Sequence, residues 1–360
     1  MKTILILGGY GATGKLLTKY LLTKTDTQII IAGRHVEKAH AFADALSNPR
    51  LSVRYADAAQ AQSFRDALRG VDLCLLAAPT THQAEAVIRA CLDGGADYLD
   101  VQFSSTKLEA LYRAEEEIRK AGLCFVTEAG YHPGLPSAMV RYAACQMDSI
   151  QRAVTAGYLN IGPGLAYTEA LDELMEGFID YNAQIYKDGK WTPPKKWEMI
   201  KFDFGGEIGA RTCYSMFFEE MRCLPQMYST LKDTGFYISG SNWIADWLIT
   251  PIIMAGLKIA PQRGLRPLGK LMWWAMQQSK PPYQVQIAVE AQGSKGGKPI
   301  TVHAAVGHPD GYELTAIPVV AFLKQYLDGQ ARLPGLHMMG QIAEPERLLR
   351  DMQSMGATVT

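Results

Sequence analysis

Ile4-Leu5-Ile6-Leu7, followed at once by Gly8-Gly9-Tyr10-Gly11-Ala12-Thr13-Gly14, constrains this chain more than any other stretch. Four apolar residues without a charge suit a strand buried on both faces of a parallel sheet. Gly9, Gly11 and Gly14 then make G-x-G-x-x-G, and a helical pattern follows through Leu16, Leu17, Tyr20 and Leu21. In a dinucleotide-binding turn each glycine has a task. The first allows the tight turn, the second lets backbone approach a pyrophosphate, and the third lets helix and strand pack closely. The helix N-terminus supplies free N–H groups and a positive dipole end for the phosphates.

The first third keeps alternating. Strand patterns at Gln28–Ala32, Leu51–Tyr55, Leu73–Ala78, Tyr98–Val101 and Leu123–Val126 are separated by helical ones. The helices are expected at Val36–Leu46, Gln62–Leu68, Thr81–Leu92 and Thr106–Lys120. Alternation of this kind makes a doubly wound parallel sheet. After Met147 longer, aromatic-rich strands appear at Arg152–Asn160, Gln284–Ala291 and Ile300–Val306. The last two are expected to form a hairpin over the loop Gly293-Ser294-Lys295-Gly296-Gly297. Helical patterning resumes at Ala316–Leu327 and Pro345–Met355. The expected fold class is α/β, an N-terminal Rossmann sheet with an inserted α+β mixed-sheet domain and a C-terminal helical return. Residues 1–134 plus 312–360 would form the nucleotide-binding domain, and 135–311 the substrate-binding and dimerisation domain.

At 360 residues, 48% hydrophobic and 20% charged, the chain has material for about two globular domains. Lys plus Arg and Asp plus Glu both number 36, so no global field attracts nucleic acid or an anionic membrane. Six cysteines without a C-x-x-C pairing read as buried thiols. The first strand begins at once, leaving no room for a signal peptide, and a reducing, cytoplasmic location is expected. In Trp243–Met276 the uninterrupted apolar part, Trp247–Leu257, falls well short of the ~20 residues a spanning helix needs. Two readings stay open there: a buried or homodimer-interface helix pair, and a peripheral membrane or lipid-substrate face.

The second strand ends in Ala32-Gly33-Arg34. NAD sites usually place an acid here for the ribose 2′-hydroxyl, whereas arginine pairs with a 2′-phosphate. NADP is therefore expected over NAD. Asp57, after the third strand, is placed to reach the adenine edge. His82, following Ala78-Pro79, either contacts cofactor or substrate or merely starts a helix. Tyr-x-x-x-Lys occurs at Tyr20/Lys24, Tyr186/Lys190 and Tyr228/Lys232, but not on the Thr106–Lys120 helix where short-chain dehydrogenase chemistry needs it. No G-x-S-x-G, H-E-x-x-H or P-loop pattern is present. His303 and His308 lack the ligand spacing of a metal site, and no metal is expected.

Gly8–Gly14, Ala32-Gly33-Arg34, Ala78-Pro79-Thr80-Thr81-His82 and Thr127-Glu128-Ala129-Gly130-Tyr131-His132-Pro133-Gly134-Leu135 together resemble the saccharopine dehydrogenase-like (saccharopine reductase) family. Ile185-Tyr186-Lys187-Asp188-Gly189-Lys190-Trp191 is similar to that family's "DGxW" segment. The resemblance implies an NADP(H)-binding Rossmann domain, an inserted domain that holds substrate and dimerises, and a C-terminal return. It implies cofactor contacts at Gly8, Gly9, Tyr10, Gly11, Ala12, Thr13, Gly14, Arg34, Asp57, Ala78, Pro79, His82, Gln102 and Gly130. His132 stands where the family's E-x-G-x-D-P-G has its acid, and Val101-Gln102-Phe103 replaces polar residues after the fifth strand. Both departures point away from saccharopine itself.

Hydride reduction of C=N or C=O needs a proton donor, and an imidazole of pKa ~6.5 suits that work. His132 is the expected catalytic residue, with Tyr131 as second donor and Glu128 either orienting the loop or purely structural. Arg211 and Arg222, among Tyr214, Phe217, Phe218 and Met221, want anionic partners. Those are a substrate carboxylate, or Glu207, Glu219 or Glu220 of the chain itself. The expected activity is hydride transfer between NADP(H) and an imine or amino-acid-like carbonyl of a small-molecule substrate. Two alternatives remain: a reductase of hydrophobic or lipid-linked C=C or C=O groups at a membrane surface, and a non-catalytic NADP(H) sensor.

Overall fold

The computed structural model describes residues 2–160, 162, 163, 167, 175, 179, 182–195 and 198–360. The chain divides into two units, Met1–Gly134 with Thr315–Met352, and Leu135–Leu314 with Gln353–Thr360.

In the first unit, β1 (Thr3–Leu7), β2 (Gln28–Gly33), β3 (Leu51–Tyr55), β4 (Leu73–Leu76), β5 (Asp97–Asp100), β6 (Cys124–Thr127) and β15 (Gly335–Met338) form one sheet. Their order is β15-β6-β5-β4-β1-β2-β3, and every pairing is parallel. The uninterrupted apolar runs follow from that arrangement, because Ile4 to Leu7, Ile29 to Ala32 and Leu73 to Leu76 are all buried under helices on both faces. Helices α1 (Ala12–Lys24), α2 (Val36–Leu46), α3 (Ala61–Ala67), α4 (Ala84–Gly94) and α5 (Ser105–Lys120) are the crossovers. The order reverses at β1 and β4, so the strands' carboxyl ends there open onto the crevice where α/β sheets bind ligands.

The helix expected from Thr81 begins instead as a 3₁₀ turn, Thr81–Gln83, and becomes α4 at Ala84. Thr80, which could cap it, donates its hydroxyl to Gln102 Oε1 at 3.1 Å instead. β15 has no strand pattern in the sequence. It exists because β6 offers it an edge, with Leu336 opposite Phe125 and His337 opposite Val126.

The second unit holds α6 (Leu135–Cys145) and a mixed sheet of order β10-β11-β12-β7-β13-β14-β16. Its strands are β7 (Ser149–Asn160), β10 (Met199–Asp203), β11 (Ala210–Met216), β12 (Asp233–Ser239), β13 (Gln284–Lys295), β14 (Lys298–His308) and β16 (Thr358–Val359), with β8 (Ile185–Lys187) and β9 (Lys190–Thr192) as a side hairpin on β12. The long hairpin is tighter than expected. Lys295 pairs with Lys298, leaving only Gly296 and Gly297 in the turn, at φ +57° and +73°. Two positive-φ residues are what a twist-matched two-residue hairpin requires.

Residues 353–360 depart from the expected assignment to the first unit. Thr358 and Val359 pair with Gly307 and Val306, and Thr360 and Ala305 exchange backbone hydrogen bonds at 2.9 Å, satisfying the open edge of β14. A π-helical turn (Ile244–Ile249) leads into α7 (Thr250–Ile259) and α8 (Pro261–Met276). Their inner faces, including Ile249, Ile253, Leu257, Leu265 and Met272, form one buried cluster. Among the described residues no helix is long and apolar enough to cross a membrane. Cys74, Cys91, Cys124 and Cys213 are buried as expected of structural thiols, whereas Cys145 is exposed.

Candidate functional site

The turn after β1 is built so that side chains cannot enter it. A Cβ on Gly14 would sit 2.1 Å from the Gly8 carbonyl oxygen and 2.7 Å from Gly9 Cα. Gly8 holds φ +81°, and a Cβ there would meet Ala78 Cβ at 2.7 Å, which places Ala78 directly against the turn. Gly8 donates to Ala32 O and Gly11 to Gly8 O, both at 2.8 Å. Gly11 caps α1 with no side-chain bond, and no acid stands in the helix's first turn. The first N–H groups of Ala12, Thr13 and Gly14 therefore present an uncontested anion-binding end.

At the end of β2, Tyr10 folds over Gly33. A Cβ on Gly33 would meet the Tyr10 ring at 2.6 Å, and the Tyr10 hydroxyl accepts a hydrogen bond from His35 N at 3.2 Å. Arg34, beside them, is exposed, with no hydrogen bond or ion pair to any described residue. Ala56 N donates to Gly33 O at 3.2 Å, bringing Asp57 to the same edge. Asp57 accepts from Ala59 N at 3.0 Å and Gln60 Nε2 at 2.9 Å, so its carboxylate already orders its own loop. Pro79 and His82 are exposed beyond β4.

The carboxyl ends of β4, β5 and β6 are joined by a buried polar network that sequence reading missed. Lys107, from α5, is 1% exposed and donates to Asp100 Oδ1 at 2.7 Å and Gln102 O at 2.6 Å. Asp100, wholly buried, also accepts from the Tyr98 hydroxyl at 2.6 Å, Thr127 Oγ1 at 2.9 Å and Gln102 N at 3.0 Å. Gln102 then reaches back, donating to Ala78 O at 2.5 Å. Every charge is matched within the network, as burial demands. The available signal was an acid closing an apolar strand, with a lysine in the next helix's first turn.

The loop after β6 is tied to this network through Ala129 N, which donates to Asp100 O at 3.0 Å. Gly130 and Gly134 hold φ +149° and +122°, and a Cβ on Gly134 would meet Gly130 O at 2.5 Å. This folded loop sets the Tyr131 and His132 rings 3.8 Å apart. Burial lowers the His132 pKa from 6.5 to about 4 and pushes the Tyr131 phenol up. At neutral pH His132 is thus a neutral imidazole, not the imidazolium-forming acid its free pKa suggests.

That shift has a stability consequence. The unfolded chain binds a proton at His132 near pH 6.5 and the folded chain only near pH 4. Stability at this residue is present above pH 6.5, is lost as pH falls through that window, and levels off below pH 4. The loss is on the order of 2–3 kcal/mol. Denaturant titrations at both ends of the window, on wild type and His132→Gln, check it. Wild type is expected to lose that much more than the variant; equal losses would contradict the shift.

Arg222 and Arg211 lie in the second unit. Arg222 pairs with Glu219, reaches Gln184 Oε1 at 3.4 Å and stacks 4.8 Å from the Phe217 ring. Arg211 lies 5.8 Å over the Tyr158 ring, and its buried Nε finds no partner among the described residues.

The sheet order and the glycine turn define a Rossmann dinucleotide-binding domain. Comparison narrows it: residues 4–124 match the family model of the saccharopine dehydrogenase NADP binding domain. Apo saccharopine dehydrogenase (L-Glu forming) from Saccharomyces cerevisiae shares the fold, with TM-score 0.69 and 13% identity over 100% of this chain and 99% of that one. Carboxyaminopropylagmatine dehydrogenase of Synechocystis sp. is 25% identical over 253 residues, 67% of this chain and 63% of that protein. Carboxynorspermidine synthase of Vibrio cholerae is 24% identical over 396 aligned positions, covering 97% of this chain and 94% of that protein. The matched residues are thus similar to the NADP binding domain of saccharopine dehydrogenases, and the cofactor is NADP. The chain's residues fit that cofactor, since the turn is a cradle a Cβ would fill and Thr81 Oγ1, after β4, is buried without a partner among the described residues.

Proposed function

We propose that the chain interconverts a secondary amine and an imine on an amino-acid-derived substrate, with NADP(H) as the redox partner. What carries this reading is the NADP-type turn with Arg34, in a chain whose two relatives are named for carboxylated amines, carboxyaminopropylagmatine and carboxynorspermidine. Bound NADP supplies the hydride acceptor in one direction and the donor in the other. The protein's part is orientation and proton handling. A secondary ammonium must lose its proton before the neighbouring C–H can leave as hydride, and the neutral His132 imidazole is suited to accept it. Tyr131, kept protonated by burial, is a hydrogen-bond donor beside it. Gln102, fixed by Lys107 and Thr80, is suited to hold the nicotinamide side of the site. Arg211, with its buried Nε unpartnered among the described residues, is the first guanidinium proposed for a substrate carboxylate, and Arg222, already paired with Glu219, the second. A homodimer in the cytoplasm belongs to the same reading.

The cofactor preference tests the Arg34 assignment. A charge-assisted phosphate contact is worth roughly 1.5–3 kcal/mol, which is about tenfold or more in affinity. Calorimetry is expected to give tighter NADPH than NADH binding, with Arg34→Ala erasing most of the difference. Equal wild-type affinities would remove Arg34 from the 2′-phosphate.

A further inference from the structure

The hairpin of α7 and α8 leaves a surface that neither the cofactor site nor the fold explains. Asn242 Nδ2 donates to Ala275 O at 2.8 Å and to Ser279 Oγ at 2.9 Å, closing the open end of the hairpin. The inner stripe is buried, so the outer stripe must be polar if water alone covers it. It is not. Trp243 is 66% exposed, Trp247 57%, Ile252 52% and Ile259 85%, all on the outer side of the π-turn and α7. On α8 the exposed stripe at helical spacing is Arg263, Arg266 and Lys270, ending in Trp274 at 52%.

The charge in this segment has one sign. From Trp243 to Lys280 the chain carries Lys258, Arg263, Arg266, Lys270 and Lys280 against the single acid Asp246. All five cations are exposed, and Asp246 accepts a hydrogen bond from Ser241 N at 3.0 Å. In a protein of zero net charge, that is a local concentration of positive charge beside a local concentration of exposed tryptophan and isoleucine.

We propose that this hairpin docks on the surface of an anionic lipid bilayer. Tryptophan and aliphatic side chains enter the headgroup boundary while flanking lysines and arginines meet the lipid phosphates. The helices are too short to span, so the attachment lies in the interface. A second copy of the chain is the poorer occupant. A two-fold contact centred on α8 would set its cationic stripe against itself, and like charges facing each other oppose association.

The test uses the full chain with vesicles of phosphatidylcholine alone or mixed with phosphatidylglycerol, read by co-sedimentation and tryptophan emission. Wild type is expected to bind the mixed vesicles with a blue-shifted emission, to bind phosphatidylcholine weakly, and to release as salt rises. Arg266→Glu with Lys270→Glu is expected to lower partitioning at least about 25-fold, at roughly fivefold for each cation near an anionic surface. Trp247→Ser with Ile252→Ser is expected to abolish the blue shift. All four substitutions fall on exposed residues, and unchanged NADPH affinity certifies the fold. Absence of vesicle binding by wild type, binding indifferent to both variants, or a concentration-dependent dimer that the Trp247/Ile252 variant dissolves would each overturn the proposal.

Discussion

Lys107→Met is expected to cost the protein about 3–5 kcal/mol of folding stability, because it strands the Asp100 carboxylate in a fully buried site. Among the described residues the ammonium is the one full positive charge bonded to that carboxylate; Tyr98, Thr127 and the Gln102 N–H are neutral donors. The loss also frees Gln102 O, so the residue behind Ala78 loosens. Adding Asp100→Asn to the variant removes the stranded charge and is expected to restore roughly 1–2 kcal/mol. Denaturant unfolding of the single and double variants measures both values. A Lys107→Met protein as stable as wild type would mean that the pair is not the strut it is taken to be.

Gly11→Val is expected to leave the fold standing and weaken NADPH binding on the order of 100-fold or more, about 2.7 kcal/mol. The backbone at Gly11 is extended, at φ −74° and ψ 178°, which valine adopts readily. A Cβ there comes no nearer than 3.2 Å to protein, at Gly8 O. On the proposed cofactor pose, what it obstructs is the space where the backbone would meet a pyrophosphate. Gly14 makes the contrast, since a Cβ 2.1 Å from Gly8 O leaves no accommodation and Gly14→Val would break the turn itself. Calorimetry on the Gly11 variant, with thermal melting as control, separates the two. Wild-type affinity in a folded Gly11→Val protein would give the turn another task.

The parallel sheet was legible because its strands are buried on both faces and carry no polar alternation to confuse with helix. Gly8 to Gly14 was legible because each glycine answers a steric demand visible in the spacing. What the sequence hid lies in residues whose role is set by distant partners. Lys107 sits in a helix rich in charge and reads as solvated until Asp100 is found beside it. β15 is four residues long and takes its identity from the edge of β6. β16 likewise exists only against β14. His132 was identifiable as a departure from the family pattern, but its neutral state depends on how the loop from Gly130 to Gly134 buries it. The pairing of Arg222 with Glu219 was one of several the sequence allowed, because Glu207, Glu219 and Glu220 all stand near it in the chain.

The central claim, amine–imine interconversion with NADP, is tested most directly by following cofactor reduction and oxidation with the purified chain across two substrate sets. One set holds carboxylated polyamine-type secondary amines, and the amines with aldehydes that would condense to them. The other holds hydrophobic enals and enones, with and without detergent micelles. Turnover in the first set, faster with NADP(H) than with NAD(H) and reduced in His132→Gln, is the expected result. Turnover confined to the hydrophobic set, or none with either, would contradict it.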